Sequence, residues 1–168
     1  MPIVGGSLTG KAFEEDTRRS LQSFGASHDN FWFMRLSDYR SWIAANKKLI
    51  NVKQPADFMA IYRGVPHFIE CKSTVRDMGW DTNFLKPHQH DSLCEITEAG
   101  GHGWVFIMHK VPYNNSAWAV SIDLFDRLKA GLPPRRVSFR WELLDAEAIP
   151  LSRTGRVWDL APIFNGGI

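Results

Sequence analysis

Two β-rich segments, residues 57–62 and 65–74, are separated only by Arg63-Gly64. Apolar, β-branched and aromatic side chains fill both, and a two-residue connection ending in Gly predicts a tight antiparallel hairpin. A hairpin fixes which residues face one another. Side chains alternate along a strand, so Phe68, Glu70 and Lys72 share one face while Ile69, Cys71 and Ser73 point to the other. If Arg63-Gly64 is the whole loop, Tyr62 pairs with Val65 and Asp57 stands opposite Glu70. If Pro66 lengthens the loop to four residues, Tyr62 pairs with His67 and Asp57 faces Lys72. Either register gathers Asp57, Glu70 and Lys72, unless a bulge near Pro66 shifts the parity.

The flanking sequence predicts a frame of helices and strands around this hairpin. Phe13, Thr17, Leu21 and Phe24 recur at helical spacing over residues 11–24, with Gly25 expected as the C-terminal cap. Residues 30–36, with Phe31, Trp32, Phe33 and Met34, predict a short buried strand. The stretch 37–49 is ambiguous: Ser37 or Asp38 could cap a helix holding Trp42, Ile43 and Ala45. Pro87 suits the first turn of a helix running to Ala99, stopped by Gly100-Gly101. Residues 104–108 predict a continuous apolar strand, 117–122 a further strand and 123–130 a short helix closed by Gly131. Val137, Phe139, Trp141 and Leu143 alternate with polar residues, so 137–144 is expected to be a half-buried strand. Helix, strand, hairpin, helix and strand in this order predict an α/β protein in which helices cover a mixed sheet.

At 168 residues the chain fits a single domain, with a core over about 8–110 and a C-terminal extension over about 111–168. Its 44% hydrophobic and 23% charged content is ordinary for a globular protein and excludes a disordered or fibrous class. No apolar run reaches the roughly 18–20 residues needed to span a bilayer, and residues 1–10 lack a secretory signal, so a cytoplasmic protein is expected. Two cysteines, Cys71 and Cys94, exclude a disulfide scaffold and are expected to be buried thiols. A formal charge of +2 gives little support for a polyanionic partner, so any such argument must come from local features.

The local feature is the hairpin cluster. Two carboxylates about 4 Å apart repel by about 4 kcal/mol at an effective dielectric near 20, unless a cation neutralises them. Magnesium suits such a pair, because it takes one or two carboxylates and completes its shell with water and phosphate oxygens. Lys72 alongside could hold an attacking water or stabilise charge developing at phosphorus. The plainer alternative is an exposed Glu–Lys pair on an edge strand, worth little. An otherwise apolar strand and an Asp at the start of its partner argue against that.

Pro55-Ala56-Asp57 followed by Glu70-Cys71-Lys72 resembles the PD-(D/E)xK nuclease signature, here with Ala between Pro and Asp. Within that superfamily the chain resembles RecU-type and archaeal-type Holliday junction resolvases over roughly residues 5–110. The matching features are Gly10-Lys11-Ala12-Phe13-Glu14, Ala56-Asp57-Phe58, Tyr62-Arg63-Gly64, the strand from Phe68 to Thr74, Phe84-Leu85 with His88-Gln89, and Gly103-Trp104-Val105-Phe106-Ile107. The resemblance implies the restriction-endonuclease-like αβββαβ core, with a mixed central sheet flanked by helices. It implies a homodimer that binds a branched four-way DNA junction and cuts two opposed strands with Mg²⁺, for which Mn²⁺ can substitute. Glu14, Asp57 and Glu70 would be the metal-site acids, the Cys71 carbonyl a further ligand, Lys72 the catalytic lysine and Gln89 a supporting residue. The stretch 40–54 would correspond to the substrate-engaging projection of RecU-type enzymes, without a residue-by-residue match.

Taken from the residues themselves, Glu14 lies at the edge of the helical stripe and can reach toward the sheet or pair with Arg18 one turn on. Gln89 sits one turn before Leu93 on an inward face, where a polar side chain needs a partner. Arg18, Arg19, Lys47, Lys48, Lys53, Arg76, Arg135 and Arg136 are candidate phosphate contacts or simply solvated surface. His88, His90 and Cys94 share one helix, but their spacing lacks a second ligand pair, so zinc is not expected there. Two other functions stay open: a nuclease acting on duplex DNA in restriction, repair or end processing, and a DNA-binding module without catalysis.

Overall fold

A computed structural model describes residues 6–36, 39–43 and 48–166. Phe13, Thr17, Leu21 and Phe24 are all buried along α1 (Gly6–Ser27), so the expected stripe is the face laid on the sheet. The helix runs past Gly25 rather than ending there. A side chain at Gly25 would meet the Phe31 ring at 2.8 Å, so this glycine serves close packing of the next strand and not a cap. That strand, β1 (Phe31–Arg35), buries Phe31 and Phe33 only partly and leaves Trp32 and Met34 exposed, because it is an outer strand and not a central one.

The described residues of the ambiguous stretch belong to two antiparallel strands, β2 (Tyr39–Ile43) and β3 (Lys48–Val52), and not to a helix. The possible caps at Ser37 and Asp38 lie outside the described residues. β4 (Phe58–Tyr62) and β5 (Val65–Thr74) follow, with Tyr62 paired to Val65 and Phe58 to Ile69. The loop is therefore Arg63-Gly64, both at positive φ (51° and 83°) as a primed turn requires, and the four-residue alternative is overturned. β6 (Trp80–Asp81) and a short 3₁₀ turn lead to α2 (Pro87–Glu98), which ends where Gly100 takes a φ of 92°. β7 (His102–His109) then lies parallel to β5, and α2 is the crossover such a pair needs.

β8 (Ser116–Ser121) pairs antiparallel with β7 and feeds α3 (Ile122–Ala130). The segment expected to be one strand over 137–144 divides into β9 (Ser138–Phe139) and α4 (Trp141–Glu147). Its alternation is real but short, and burial of Phe139 and Leu144 at a spacing of five fits a strand turning into a helix. β10 (Ile149–Pro150), β11 (Arg153–Thr154), β12 (Val157–Trp158) and α5 (Ala161–Asn165) complete the chain. The main sheet has the order β1-β4-β5-β7-β8-β10 and is mixed, since only the β5–β7 pair is parallel.

Two apolar layers hold this sheet. On one face Phe13, Leu21 and Phe24 of α1 meet Ile69, Cys71, Trp104 and Phe106, with Trp158, Ile163 and Phe164 from the C-terminal segment closing the layer. On the other, Leu93, Phe125 and Leu144 from the later helices meet Val105, Ile107 and Val120 around a fully buried Trp80. β7 is buried on both faces, which is why it reads as a continuous apolar run. α2 lies against it so closely that a Cβ on Gly103 would stand 2.7 Å from the Leu93 carbonyl oxygen. Gly103→Ala should therefore cost about 1–3 kcal/mol through overpacking, measured as a lower denaturant midpoint with an unchanged slope. Among the described residues no helix is long and apolar enough to cross a membrane.

Candidate functional site

β4 ends at Phe58, while β5 runs on to Thr74 with β7 along its other edge. Around the gap beyond the end of β4, Glu14, Asp57 and Glu70 lie near enough for the charge of Glu14 to act on Asp57 and that of Asp57 on Glu70. Asp57 is the last residue before β4, and its N–H donates to the Ile69 carbonyl (3.1 Å) while its carboxylate accepts the Cys71 N–H (2.7 Å). A residue's N–H and C=O leave a strand on the same side, so the Cys71 carbonyl faces this gap as well. The Cys71 thiol points the other way, into the α1 layer, where it donates to Thr17 Oγ1 and where burial pushes its pKa well up. Cys71 can thus offer a hard carbonyl oxygen here, but not a thiolate.

Glu70 and Lys72 share the opposite face of β5, as alternation requires, and Lys72 Nζ lies 2.6 Å from Glu70 Oε1. The same oxygen accepts a 2.6 Å bond from Gln89 Nε2. Gln89 is held at both ends, since its Oε1 accepts the Lys86 N–H at 3.1 Å. The first turn of α2 therefore fixes the rotamer of a carboxylate whose side chain is only 3% exposed. Glu14 reaches the cluster from α1 and pairs with the Arg35 guanidinium at the end of β1. The alternative Glu14–Arg18 pair does not form; Arg18 instead bonds to Glu15 at 2.8 Å. A cleft of about 450 Å³ opens over these groups, lined by Lys11 and Glu14 of α1, Lys72 and Ser73 of β5, and Phe84 and Lys86 before α2.

The electrostatics are those of acids held against their preference. Burial pushes the Asp57 carboxyl up to about 6; the Glu14 charge adds to the rise, while the Cys71 N–H, Lys72 and Arg35 oppose it. Burial likewise pushes Glu70 up to about 7, with Asp57 adding and Lys72 and Gln89 opposing. Each carboxylate therefore raises the cost of ionising a neighbour, and a cation among them would lower it. The donor set of Asp57, Glu70, Glu14 and the Cys71 carbonyl is made of hard oxygens, which fits Mg²⁺ or Mn²⁺.

The basic candidates are dispersed. Arg18 and Arg19 are both tied to Glu15. Lys53 is exposed, and Lys47 and the Lys48 side chain lie outside the described residues. Arg76 pairs with Asp81 (3.3 Å) and lies over the Phe84 ring (5.1 Å), which places it beside the cleft. Arg135 and Arg136 sit in the exposed turn after α3. Lys11, Arg35 and Lys86 went unnoticed in the sequence, since nothing local distinguishes them from surface cations; Lys11 did stand within the quoted Gly10–Glu14 run.

No protein-family model matches the chain, and no curated protein does. Among solved structures it is similar to Hjc, a Holliday junction resolvase of the archaeal hyperthermophile Archaeoglobus fulgidus. The two share 12% sequence identity and a TM-score of 0.50, over 84% of this chain and 91% of the other. Its fold is that of the PD-(D/E)xK nucleases. In this PD-(D/E)xK fold the αβββαβ core runs α1, β1, β4, β5, α2, β7, with the β2–β3 hairpin inserted after the first core strand. β8 and β10 extend the sheet beyond that core, so the segment after Lys110 adds strands alongside β7.

Proposed function

We propose that this protein is a metal-dependent DNA endonuclease that resolves four-way junctions by paired symmetric nicks. The observation that carries the proposal is the half-buried Asp57 and the buried Glu70, with pKa values raised to about 6 and 7 and Lys72 2.6 Å from Glu70, beside an open cleft that Lys72, Cys71 and Glu14 line. A structural ion pair gains nothing from a second buried acid, whereas a cation site needs one.

Asp57, Glu70, Glu14 and the Cys71 carbonyl would hold Mg²⁺ or Mn²⁺, which when bound polarises a phosphate oxygen and makes water a nucleophile near neutral pH. Lys72 pairs with Glu70 and lines the cleft, where its ammonium would orient the attacking water or meet charge growing on the phosphate. Gln89 would keep Glu70 from following Lys72 as that bond loosens. Lys11, Lys86 and Arg76 flank the cleft and would seat the neighbouring phosphates, which sets position and not sequence. The β2–β3 hairpin, which forms its own two-stranded sheet, is the candidate for engaging the branched part of the substrate. A homodimer follows from the substrate, since a two-fold axis puts two such sites on two symmetric strands.

The likeness in fold to a resolvase supports the choice of junction over linear duplex. With Mg²⁺, a synthetic four-way junction should be cut into two nicked duplexes, and excess linear duplex should compete poorly. Preferential cutting of linear duplex would assign the site to restriction or repair, and tight junction binding without cutting in Mg²⁺ or Mn²⁺ would leave a binding module.

A further inference from the structure

α2 carries a second group of ligand-bearing side chains on the side facing α3. His90 and Cys94 stand one helical turn apart, and Asp126 of α3 completes the group, with ligand atoms from all three within 4.8 Å of one another. His88 is not part of it. His90 Nε2 lies 2.7 Å from Asp126 Oδ1, and Cys94 Sγ lies 3.8 Å from both His90 Nε2 and Asp126 Oδ2. The sequence shows only the first two ligands; the third comes from 32 residues further on, brought over by packing of the two helices.

We propose that His90, Cys94 and Asp126 form a zinc site that staples α2 to α3, separate from the carboxylate cluster. Tetrahedral zinc with bonds of about 2.0–2.3 Å sets its ligand atoms roughly 3.3–3.6 Å apart. The two sulfur separations of 3.8 Å already approach this, and the His90–Asp126 contact need open only by roughly 0.6 Å as the metal takes the place of the shared proton. Asp91 supplies the outer partner: its carboxylate lies 3.3 Å from His90 Nδ1, which orients the ring with Nε2 toward the site. Asp126 is half exposed, so the fourth position opens to water.

The donor chemistry selects the ion. A thiolate, an imidazole and one carboxylate suit Zn²⁺ or Co²⁺ and do not suit Mg²⁺. Asp91 and Glu98 of α2 add two further negative charges around Cys94 and Asp126, a setting that favours a bound cation. Binding releases the Cys94 proton to solvent, and the proton between His90 Nε2 and Asp126 moves to His90 Nδ1, where Asp91 accepts it. His90 follows Gln89 directly, so the staple would also steady the turn that holds Glu70.

Titration of the chelator-treated full chain with Zn²⁺ should show one site per chain by calorimetry and a rise in thermal midpoint. Co²⁺ should give thiolate charge-transfer absorption that vanishes in Cys94→Ser. Asp126→Asn, at a half-exposed position, should keep the far-UV circular dichroism and weaken Zn²⁺ by more than about tenfold. Asp57→Asn and Glu70→Gln should leave Zn²⁺ uptake intact, which makes the result independent of the proposed nuclease activity. The staple is refuted if one equivalent of Zn²⁺ is not taken up, if Cys94→Ser and Asp126→Asn bind it as tightly as the parent, or if uptake is lost in Asp57→Asn.

Discussion

Asp57→Asn should lower metal-dependent cleavage by at least about 10³-fold, equivalent to about 4 kcal/mol of transition-state stabilisation, while leaving DNA binding in place. The amide keeps an oxygen able to accept the Cys71 N–H, so the end of β4 stays in register with β5. It also removes a negative charge facing the phosphates, so affinity should stay level or rise. Lys72→Met should lose cleavage to a similar degree and leave Glu70 without its neighbouring ammonium. Single-turnover cleavage alongside a gel-shift titration separates the two quantities. Wild-type rates in Asp57→Asn would remove the assigned chemistry altogether.

The same acids predict an unusual stability profile. Glu70 titrates near 7 in the folded chain instead of 4.5, and Asp57 near 6 instead of 3.8. The folded state thus holds these protons more tightly than the unfolded state, and ionising the acids costs stability. That cost is fully present above about pH 7 and is relieved as pH falls through 7 toward 4. Glu70→Gln removes the Glu70 share of it and should stabilise the metal-free protein at pH 8 by about 3 kcal/mol, or roughly 6–12 °C in thermal midpoint. The advantage should shrink as the buffer approaches pH 6. His67 acts in the opposite sense: burial lowers it to about 4, so its contribution is lost as pH falls below 6.5. The difference between the parent and Glu70→Gln at each pH cancels the histidine contribution, which both share, and isolates Glu70. Mg²⁺ at pH 8 should stabilise the parent and not Glu70→Gln. A Glu70→Gln variant less stable than the parent at pH 8 would mean that the Lys72 pair outweighs the burial cost, and that the cluster is a structural ion pair.

These two experiments rest on geometry that was largely visible before folding. The 57–74 hairpin could be placed because strand alternation has a period of two and Arg63-Gly64 admits one tight turn, so register followed from local chemistry alone. Gln89 was legible as a polar residue on an inward face, though its partner was not. The Glu14 partner stayed open, because a helix shows its own i,i+4 neighbours in sequence but not the Arg35 that β1 brings alongside. The ambiguity over 37–49 and the failure of the strand expected over 137–144 have a related reason. Short periodic runs fit two structures equally, and what decides between them is the surface they pack against.

The order of elements, the turn, the shared face of Glu70 and Lys72 and the approach of Asp57 were set by backbone geometry over a few residues, which sequence encodes directly. The edge position of β1, the Arg35–Glu14 pair, the cleft between the starts of α1 and α2, and the meeting of Asp126 with His90 and Cys94 arose only when distant segments packed. Local sequence fixes which way a side chain leaves the backbone, but burial of the two apolar layers chooses what it meets.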